Sequence, residues 1–118
     1  VILWGSGTPM REFLFVDDLA KAVIFALENN LKDFIYNVGT GKDVSIKTLA
    51  EIIQNIVGHK GEIIWDKTKP NGTPKKLMDV SKMKDLGWAY STELEDGIKK
   101  TYQWFLKNIE NFKQIKLQ

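Results

Sequence analysis

Short apolar runs alternate along this chain with longer segments whose apolar residues repeat at helical spacing. The runs are rich in β-branched and aromatic residues and end at Gly, Pro or polar clusters, which is typical of short strands. The longer segments place apolar residues three or four positions apart, which predicts amphipathic helices. In 118 residues this pattern predicts an α/β fold, α+β-like in arrangement, with short strands and three main helices. The predicted strands are 1–4, 11–15, 34–39 and 62–65, and the main helices start near residues 17, 46 and 93.

Capping residues predict where the helices begin and end. Asp17 and Asp18 stand where a helix N-terminus favours negative charge and side-chain caps. Ser45 is expected to cap the second helix, and Gly58 to end it. A short helix is also predicted at 81–86. We expect the apolar stripes to be core, including that of the first helix, which consists of Leu19, Ala22, Val23, Ala26 and Leu27.

Composition excludes several classes of function. The chain has no cysteine, which rules out disulfides and thiolate metal sites and favours a reducing compartment, so we expect a cytoplasmic protein. The single histidine, His59, cannot build a histidine-based metal site, and we expect no metal. Net charge is only +2 and the lysines are mixed with acids, which argues against nucleic acid as a partner. No apolar run approaches the length of a membrane span.

The first residues indicate a piece of a larger protein. The chain opens with Val1 rather than methionine, and Val1 already lies in a predicted strand. No stretch inside the chain has the composition of a linker. We therefore expect residues 1–118 to be one domain of a longer chain. Surface that packs against the rest of that chain would be exposed as an apolar patch and would favour self-association, so a homo-oligomer is among the expected partners.

Arg11 is the only arginine in a chain with sixteen lysines. The guanidinium is a rigid planar fork that matches a carboxylate or a phosphate with two parallel hydrogen bonds, whereas lysine offers a mobile point charge. One interpretation is therefore a ligand site built on that fork. The other is a structural ion pair with Asp17 or Asp18.

Two further features would complete a ligand site around Arg11. If the loop between them folds back, Trp4 faces the same region, and an indole beside a guanidinium suits a ligand with a flat ring near a phosphate. The alternative for Trp4 is packing in the core. Lys75 and Lys76, in the polar loop 66–76, would add positive charge to the site or else simply be exposed.

Two Gly-x-Gly stretches raise the question of a phosphate-binding loop. They are Gly5-Ser6-Gly7 and Gly39-Thr40-Gly41. Neither completes G-x-G-x-x-G, because the third glycine would fall at Met10 and at Val44, and neither completes a Walker motif. The second stretch follows a predicted strand and precedes a helix, so it is compatible with a bound anion and with a plain strand-to-helix turn.

Longer strings resemble one family closely. WGSGTPMREF and KPNGTPKKLMDV, together with VDDLA, NVGTG and TYQWFL, resemble the GDP-L-fucose synthases, which are epimerase-reductases of the extended short-chain dehydrogenase/reductase superfamily. The resemblance covers Val1 to about Asn108. It implies a small C-terminal α/β domain that binds the GDP-sugar substrate. It also implies an N-terminal Rossmann domain, absent from this chain, that binds NADP(H) and carries the catalytic Ser, Tyr and Lys.

Carried over residue by residue, the resemblance implies substrate-binding roles for Trp4, Arg11, Asn71 and Lys76. Arg11 is expected on the diphosphate and Lys76 near the phosphates. Asn71 stands where the family usually has aspartate in a PDG-like turn. This exchange keeps the turn and a hydrogen-bonding oxygen but removes a charge.

No catalytic or cofactor-binding residue is expected in this chain. None of its tyrosines is followed by lysine at the fourth position, and no glycine fingerprint is complete, so proton and hydride transfer cannot be assembled. We therefore expect the chain alone to be catalytically inactive. Two alternatives stay open: the same domain of another nucleotide-sugar epimerase, dehydratase or reductase, and a non-catalytic module that binds a partner or acts as a scaffold.

Overall fold

Five short strands and four helices follow one another in residues 1–112, which are the residues that the computed structural model describes. The predicted α/β class, with short strands and three main helices, is confirmed. The last ten residues are rich in lysine and amides, a composition that predicts fraying, and the final six of them lie outside the described residues. The strands are β1 (Ile2–Trp4), β2 (Met10–Glu12), β3 (Asp43–Ser45), β4 (Ile64–Asp66) and β5 (Lys75–Lys76). The helices are α1 (Val16–Glu28), α2 (Ile46–Val57), α3 (Ser81–Asp85) and α4 (Leu94–Phe112).

The strands form two small sheets, and β2 is the centre of the larger one. β1 pairs in parallel with β4. β2 lies between β3, to which it is antiparallel, and β5, to which it is parallel. Because successive side chains of a strand point to opposite faces, Arg11 lies on one face of this sheet, and Met10 and Glu12 lie on the other. Because β2 is hydrogen-bonded to a strand on each side, the backbone positions of these three residues are fixed.

The capping signals of α2 are confirmed. Ser45 Oγ accepts a hydrogen bond of 3.0 Å from the Thr48 amide, which satisfies one of the free N–H groups of the first turn. Gly58 ends the helix in the left-handed conformation, at φ 71°, where a side chain would be strained. Both ends of α2 are therefore set by local sequence.

Asp17 and Asp18 lie in the first turn of α1 as predicted, but neither caps the helix, and Asp18 has a different role. Phe15 occupies the N-cap position and no side chain caps the helix. Asp18 is 1% exposed, and its carboxylate accepts hydrogen bonds from the amides of Ser91 (3.1 Å) and Thr92 (2.8 Å) and from the Ser91 hydroxyl. Burial opposes the charge, but these bonds and one from Lys21 outweigh it and hold the pKa of Asp18 well below its usual range.

The core lies between α1 and the segment around α3. Ala22, Met83 and Trp88 are buried. The stripe predicted for α1 is only partly core, because Ala22 is buried while Leu19, Val23 and Leu27 are exposed, Leu27 at 81%. α1 turns Ala22 and Phe25 toward Met83 and Trp88, which leaves the opposite, equally apolar side of the helix open. The half-buried residues that pack on the core are Leu14, Phe25, Tyr36, Val38 and Tyr90.

The strand predicted at 34–39 is not formed. Phe34 is fully exposed and Ile35 is largely so. A β-strand needs a neighbour for its backbone hydrogen bonds, and within residues 1–112 no strand pairs with this segment.

Across the same residues, no helix combines the length and the apolar character that a bilayer-spanning segment requires.

Candidate functional site

Two cationic side chains, from Arg11 and Lys76, leave the same face of the β3-β2-β5 sheet. They are register partners on the parallel strands β2 and β5, so their backbones lie about 4.8 Å apart. The side chain of Lys75 lies on the other face. Its Nζ is 3.1 Å from Asp43 Oδ2, which is close enough for an ion pair, but the two groups are not aligned for a hydrogen bond. The structure thus brings Arg11 and Lys76 together and assigns Lys75 to a different surface.

The Arg11 guanidinium is half-buried and has no internal counter-ion among the described residues. Its Nη1 donates a hydrogen bond of 2.7 Å to the Met10 carbonyl. Within residues 1–112 no carboxylate lies at ion-pairing distance from it. The alternative of a structural pair with Asp17 or Asp18 is therefore not realised, since Asp18 is satisfied by Ser91 and Thr92. Within residues 1–112 the positive charge of Arg11 is therefore not balanced by a carboxylate.

The loop after β4 runs alongside the loop that connects β1 and β2. Asn71 Oδ1 accepts hydrogen bonds from the Ser6 amide (2.7 Å) and the Ser6 hydroxyl (3.0 Å). Closer to β2, the Met10 amide donates to the Pro74 carbonyl at 2.8 Å. These contacts hold the two loops side by side. Of the four predicted site residues, Asn71 lies in one of these loops, and Trp4, Arg11 and Lys76 lie in the strands that flank them.

Trp4 and Lys69 contact each other near the start of these two loops. Trp4 ends β1 and is 70% exposed, so the alternative of core packing is wrong. Lys69 Nζ lies 5.6 Å from the centroid of the indole ring, within the range of a cation–π contact. The sequence analysis missed Lys69, since nothing in its local sequence distinguishes it from the other lysines of the loop.

Glycine allows the two loops to approach each other. Gly5 has φ 80°, and a Cβ at this position would clash with Asn71 Oδ1. Gly72 has φ 72°, and a Cβ on it would stand 3.8 Å from Arg11 Nη2, so the turn at Asn71-Gly72 lies beside the guanidinium. Asn71 uses its side-chain oxygen to hold Ser6. The substrate contact predicted for Asn71 stays a prediction.

The turn Gly39-Thr40-Gly41 holds an anion of the protein itself. Glu12 Oε1 accepts a hydrogen bond of 2.7 Å from the Gly41 amide and one of 3.3 Å from the Thr40 hydroxyl. In the other glycine stretch, the Ser6 amide is taken by Asn71. These two amides are therefore already bonded to protein oxygens. Sequence analysis missed Glu12, whose only signal was its place beside Arg11.

A cleft of about 410 Å³ lies elsewhere, between α2, α4 and residues 13–16. Its lining is mainly apolar and contains no cation, so it does not suit an anionic ligand. Arg11 and Lys76 carry two positive charges that no carboxylate within residues 1–112 pairs with, and Lys76 is exposed. Within residues 1–112, no three His, Cys, Asp or Glu residues are grouped to hold a metal ion. We therefore take the positive surface as the candidate site and define it by Trp4, Arg11, Lys69, Asn71 and Lys76.

Comparison with known proteins gives this surface a context. The NAD dependent epimerase/dehydratase family matches residues 1–39. The putative GDP-L-fucose synthase 2 of Arabidopsis thaliana is 51% identical over 97% of this chain, which spans 35% of that protein. The GDP-mannoheptose C4 reductase of Campylobacter jejuni, solved with NADP bound, is 43% identical with a TM-score of 0.80 over 90% of this chain and 34% of that one. A GDP-L-fucose synthetase of Naegleria fowleri is 30% identical with a TM-score of 0.86 over 92% of this chain and 34% of that one.

The chain that carries this fold and this positive surface is thus similar to enzymes of the NAD dependent epimerase/dehydratase family. Within that group, the chain is homologous over nearly its whole length to GDP-L-fucose synthases and matches the C-terminal portion of their structures. The predicted resemblance is confirmed. The chain spans about a third of the length of these relatives.

Proposed function

We propose that this chain is the nucleotide-sugar-binding portion of a GDP-L-fucose synthase. Such an enzyme converts GDP-4-keto-6-deoxy-D-mannose to GDP-L-fucose by epimerisation and NADPH-dependent reduction. The observation that carries the proposal is the register pairing of Arg11 with Lys76, which presents two cations on one face without an internal counter-ion among residues 1–112. The similarity to relatives named for this activity supports the same function.

A nucleoside diphosphate suits these two cations. The guanidinium of Arg11 can bind two phosphate oxygens at once, and the ammonium of Lys76 can neutralise a second charge at about strand spacing. Charge-assisted hydrogen bonds of this kind contribute about 1.5–3 kcal/mol each. The exposed indole of Trp4, at the far end of the paired loops, offers an apolar surface for another part of the same ligand.

The rest of the proposed enzyme lies outside this chain. Because neither glycine stretch completes the G-x-G-x-x-G fingerprint, we assign the binding of NADP(H) and the catalytic groups to an N-terminal Rossmann domain of the full-length protein. This chain would bind and orient the GDP-sugar, and would have no activity by itself. The lack of cysteine fits a cytoplasmic enzyme.

Calorimetric titration of the full-length protein with GDP tests the proposal. Arg11→Lys keeps the charge but removes the fork, so we expect GDP affinity to fall about tenfold, the equivalent of one lost charge-assisted bond. Lys60→Arg, an exchange of the same two residue types in the exposed loop after α2, serves as control. Unchanged affinity in Arg11→Lys would overturn the assignment of Arg11 to the diphosphate.

A second candidate is a reductase of another GDP-linked sugar. The 43% identity to the GDP-mannoheptose C4 reductase favours it. Competition among GDP, UDP and dTDP would test the nucleotide, and turnover of GDP-4-keto-6-deoxymannose in the presence of NADPH would separate the two sugars. Formation of GDP-L-fucose supports the first proposal, and turnover of only a GDP-heptose supports the second.

A further inference from the structure

Glu12 follows Arg11 on β2, but its side chain leaves the opposite face of the sheet. Its carboxylate is therefore directed away from a ligand bound at Arg11 and Lys76. The two oxygens of this carboxylate bind two separate segments of the chain. Oε1 binds the turn Gly39-Thr40-Gly41, and Oε2 accepts a hydrogen bond of 3.0 Å from the Met78 amide.

The contact with Met78 lies two residues after Lys76 in the chain. β5 contains only two residues and is joined to β2 by two register pairs. Before β5, the Pro74 carbonyl is held by the Met10 amide. After β5, the described hydrogen bond that returns the chain to β2 is the one from Met78 to Glu12. Glu12 therefore anchors the end of β5 that carries Lys76.

The turn at 39–41 is shaped to hold the Glu12 carboxylate. The Gly41 amide and the Thr40 hydroxyl both donate to Oε1. A Cβ at Gly39 would clash with the same oxygen, and Gly39 does not have a positive φ that would itself demand glycine. The missing side chain at Gly39 thus leaves the space that the carboxylate fills.

We propose that Glu12 is a positioning residue of the diphosphate site. It fixes the distance between Lys76 and Arg11 by fastening the chain after β5 to β2 and to the 39–41 turn, and it does so without touching the ligand. This inference rests on the proposed function. It assigns the glycine turn to an internal carboxylate and makes that carboxylate part of nucleotide recognition.

A double-mutant cycle in the full-length protein tests the proposal, with GDP affinity measured by calorimetry. Glu12→Gln keeps the volume but turns an amide N–H₂ toward one of the two backbone donors, so we expect GDP to bind about fivefold more weakly. In the Lys76→Met background the same exchange should change affinity less than about twofold, because the side chain that Glu12 positions is already gone. Glu51→Gln, an exposed carboxylate on α2, is the matched control and should leave affinity unchanged.

Gly39→Ala supplies a second variant that leaves the Glu12 carboxylate chemically intact. The added methyl group displaces Oε1 from the turn, so we expect a loss of GDP affinity that again disappears in the Lys76→Met background. This variant carries the test if Glu12→Gln does not yield folded protein.

The outcomes separate this inference from the proposed function. Equal losses in the wild-type and Lys76→Met backgrounds would show that Glu12 acts only on general stability, and would overturn the positioning role alone. If Arg11→Lys and Lys76→Met themselves leave GDP affinity unchanged, the proposed function is overturned, and the positioning role with it.

Discussion

The carboxylate of Asp18 on α1 accepts a hydrogen bond of 2.8 Å from the amide of Thr92, just ahead of α4. Ser91 adds its amide and its hydroxyl to the same carboxylate. One buried side chain therefore fastens the N-terminal end of α4 to α1. This arrangement joins parts of the chain that are 74 positions apart.

Asp18→Asn is expected to destabilise the protein. The amide keeps one acceptor but turns an N–H₂ group toward donors that the carboxylate had satisfied. We expect the free energy of unfolding to fall by about 2–3 kcal/mol, as for hydrogen bonds to a buried charge. Urea denaturation measures the loss, and faster hydrogen exchange at the Ser91 and Thr92 amides would locate it. Asp17→Asn, on the exposed side of the same turn, is the control.

The lowered pKa of Asp18 also predicts a pH dependence. Because the folded protein holds this carboxyl ionised below the unfolded-state pKa of about 3.9, its contribution to stability is fully present above that pH. The contribution is lost progressively as the pH falls below it, since the unfolded chain then binds the proton first. The stability difference between wild type and Asp18→Asn should therefore shrink as the pH falls from about 5 to about 2. A constant difference would contradict the assignment.

Lys75 and Lys76 provide a matched pair for the candidate site. They are neighbours on β5, but only Lys76 shares the face of Arg11. We expect Lys76→Met to weaken GDP binding about tenfold and Lys75→Met to change it less than about twofold. Titration of both variants of the full-length protein with GDP measures this. Similar losses in the two variants would mean that the loop contributes only diffuse positive charge.

Two variants of Asn71 distinguish the effect of its side-chain oxygen from the effect of a charge at this position. Asn71→Asp keeps an oxygen that accepts from the Ser6 amide and hydroxyl, so we expect stability to change by less than about 0.5 kcal/mol. Asn71→Ala removes the acceptor of the bonds from the Ser6 amide and hydroxyl and should cost about 1 kcal/mol. Urea denaturation of the two variants tests this. A larger loss in Asn71→Asp than in Asn71→Ala would show that charge, and not the missing acceptor, governs this loop.

The open side of α1 predicts association of the 118-residue chain in isolation. Leu19, Val23 and Leu27 form an exposed apolar stripe there, and such surfaces drive self-association. Sedimentation velocity should show concentration-dependent oligomers, and the double variant Val23→Gln/Leu27→Gln should reduce them. Glu28→Gln, outside the stripe on the same helix, is the control. A monomer at high concentration in the unmodified chain would contradict this prediction.

Sequence predicted the features whose cause is local. The helix α2 followed from Ser45 and Gly58, because a cap and a left-handed glycine act within a few residues. Features that depend on distant partners were missed or mistaken. The 34–39 segment has the composition of a strand but no pairing neighbour in residues 1–112, and the Asp18 side chain binds Ser91 and Thr92 instead of capping its own helix.

The candidate site shows the same division. It was predicted from a lone arginine and a lysine-rich loop, and the four predicted residues lie in two adjoining loops or in the strands that flank them. The parallel pairing that distinguishes Lys76 from Lys75 joins segments far apart in sequence, so no local pattern could reveal it. Glu12 was missed for the same reason, because its partners lie at Gly41 and Met78.

Backbone pairing between β2 and β5 forces two positive side chains, those of Arg11 and Lys76, to stand next to each other. Like charges on adjacent strands repel, so without a bound anion the repulsion between these two side chains weakens the pairing of β5 with β2. A polyanion that bridges the two side chains cancels this repulsion and ties the strands together across the sheet. A bound nucleotide would thus stabilise the pairing of the two strands. The amides of β5 would exchange with solvent faster in the free protein than in the nucleotide-bound protein.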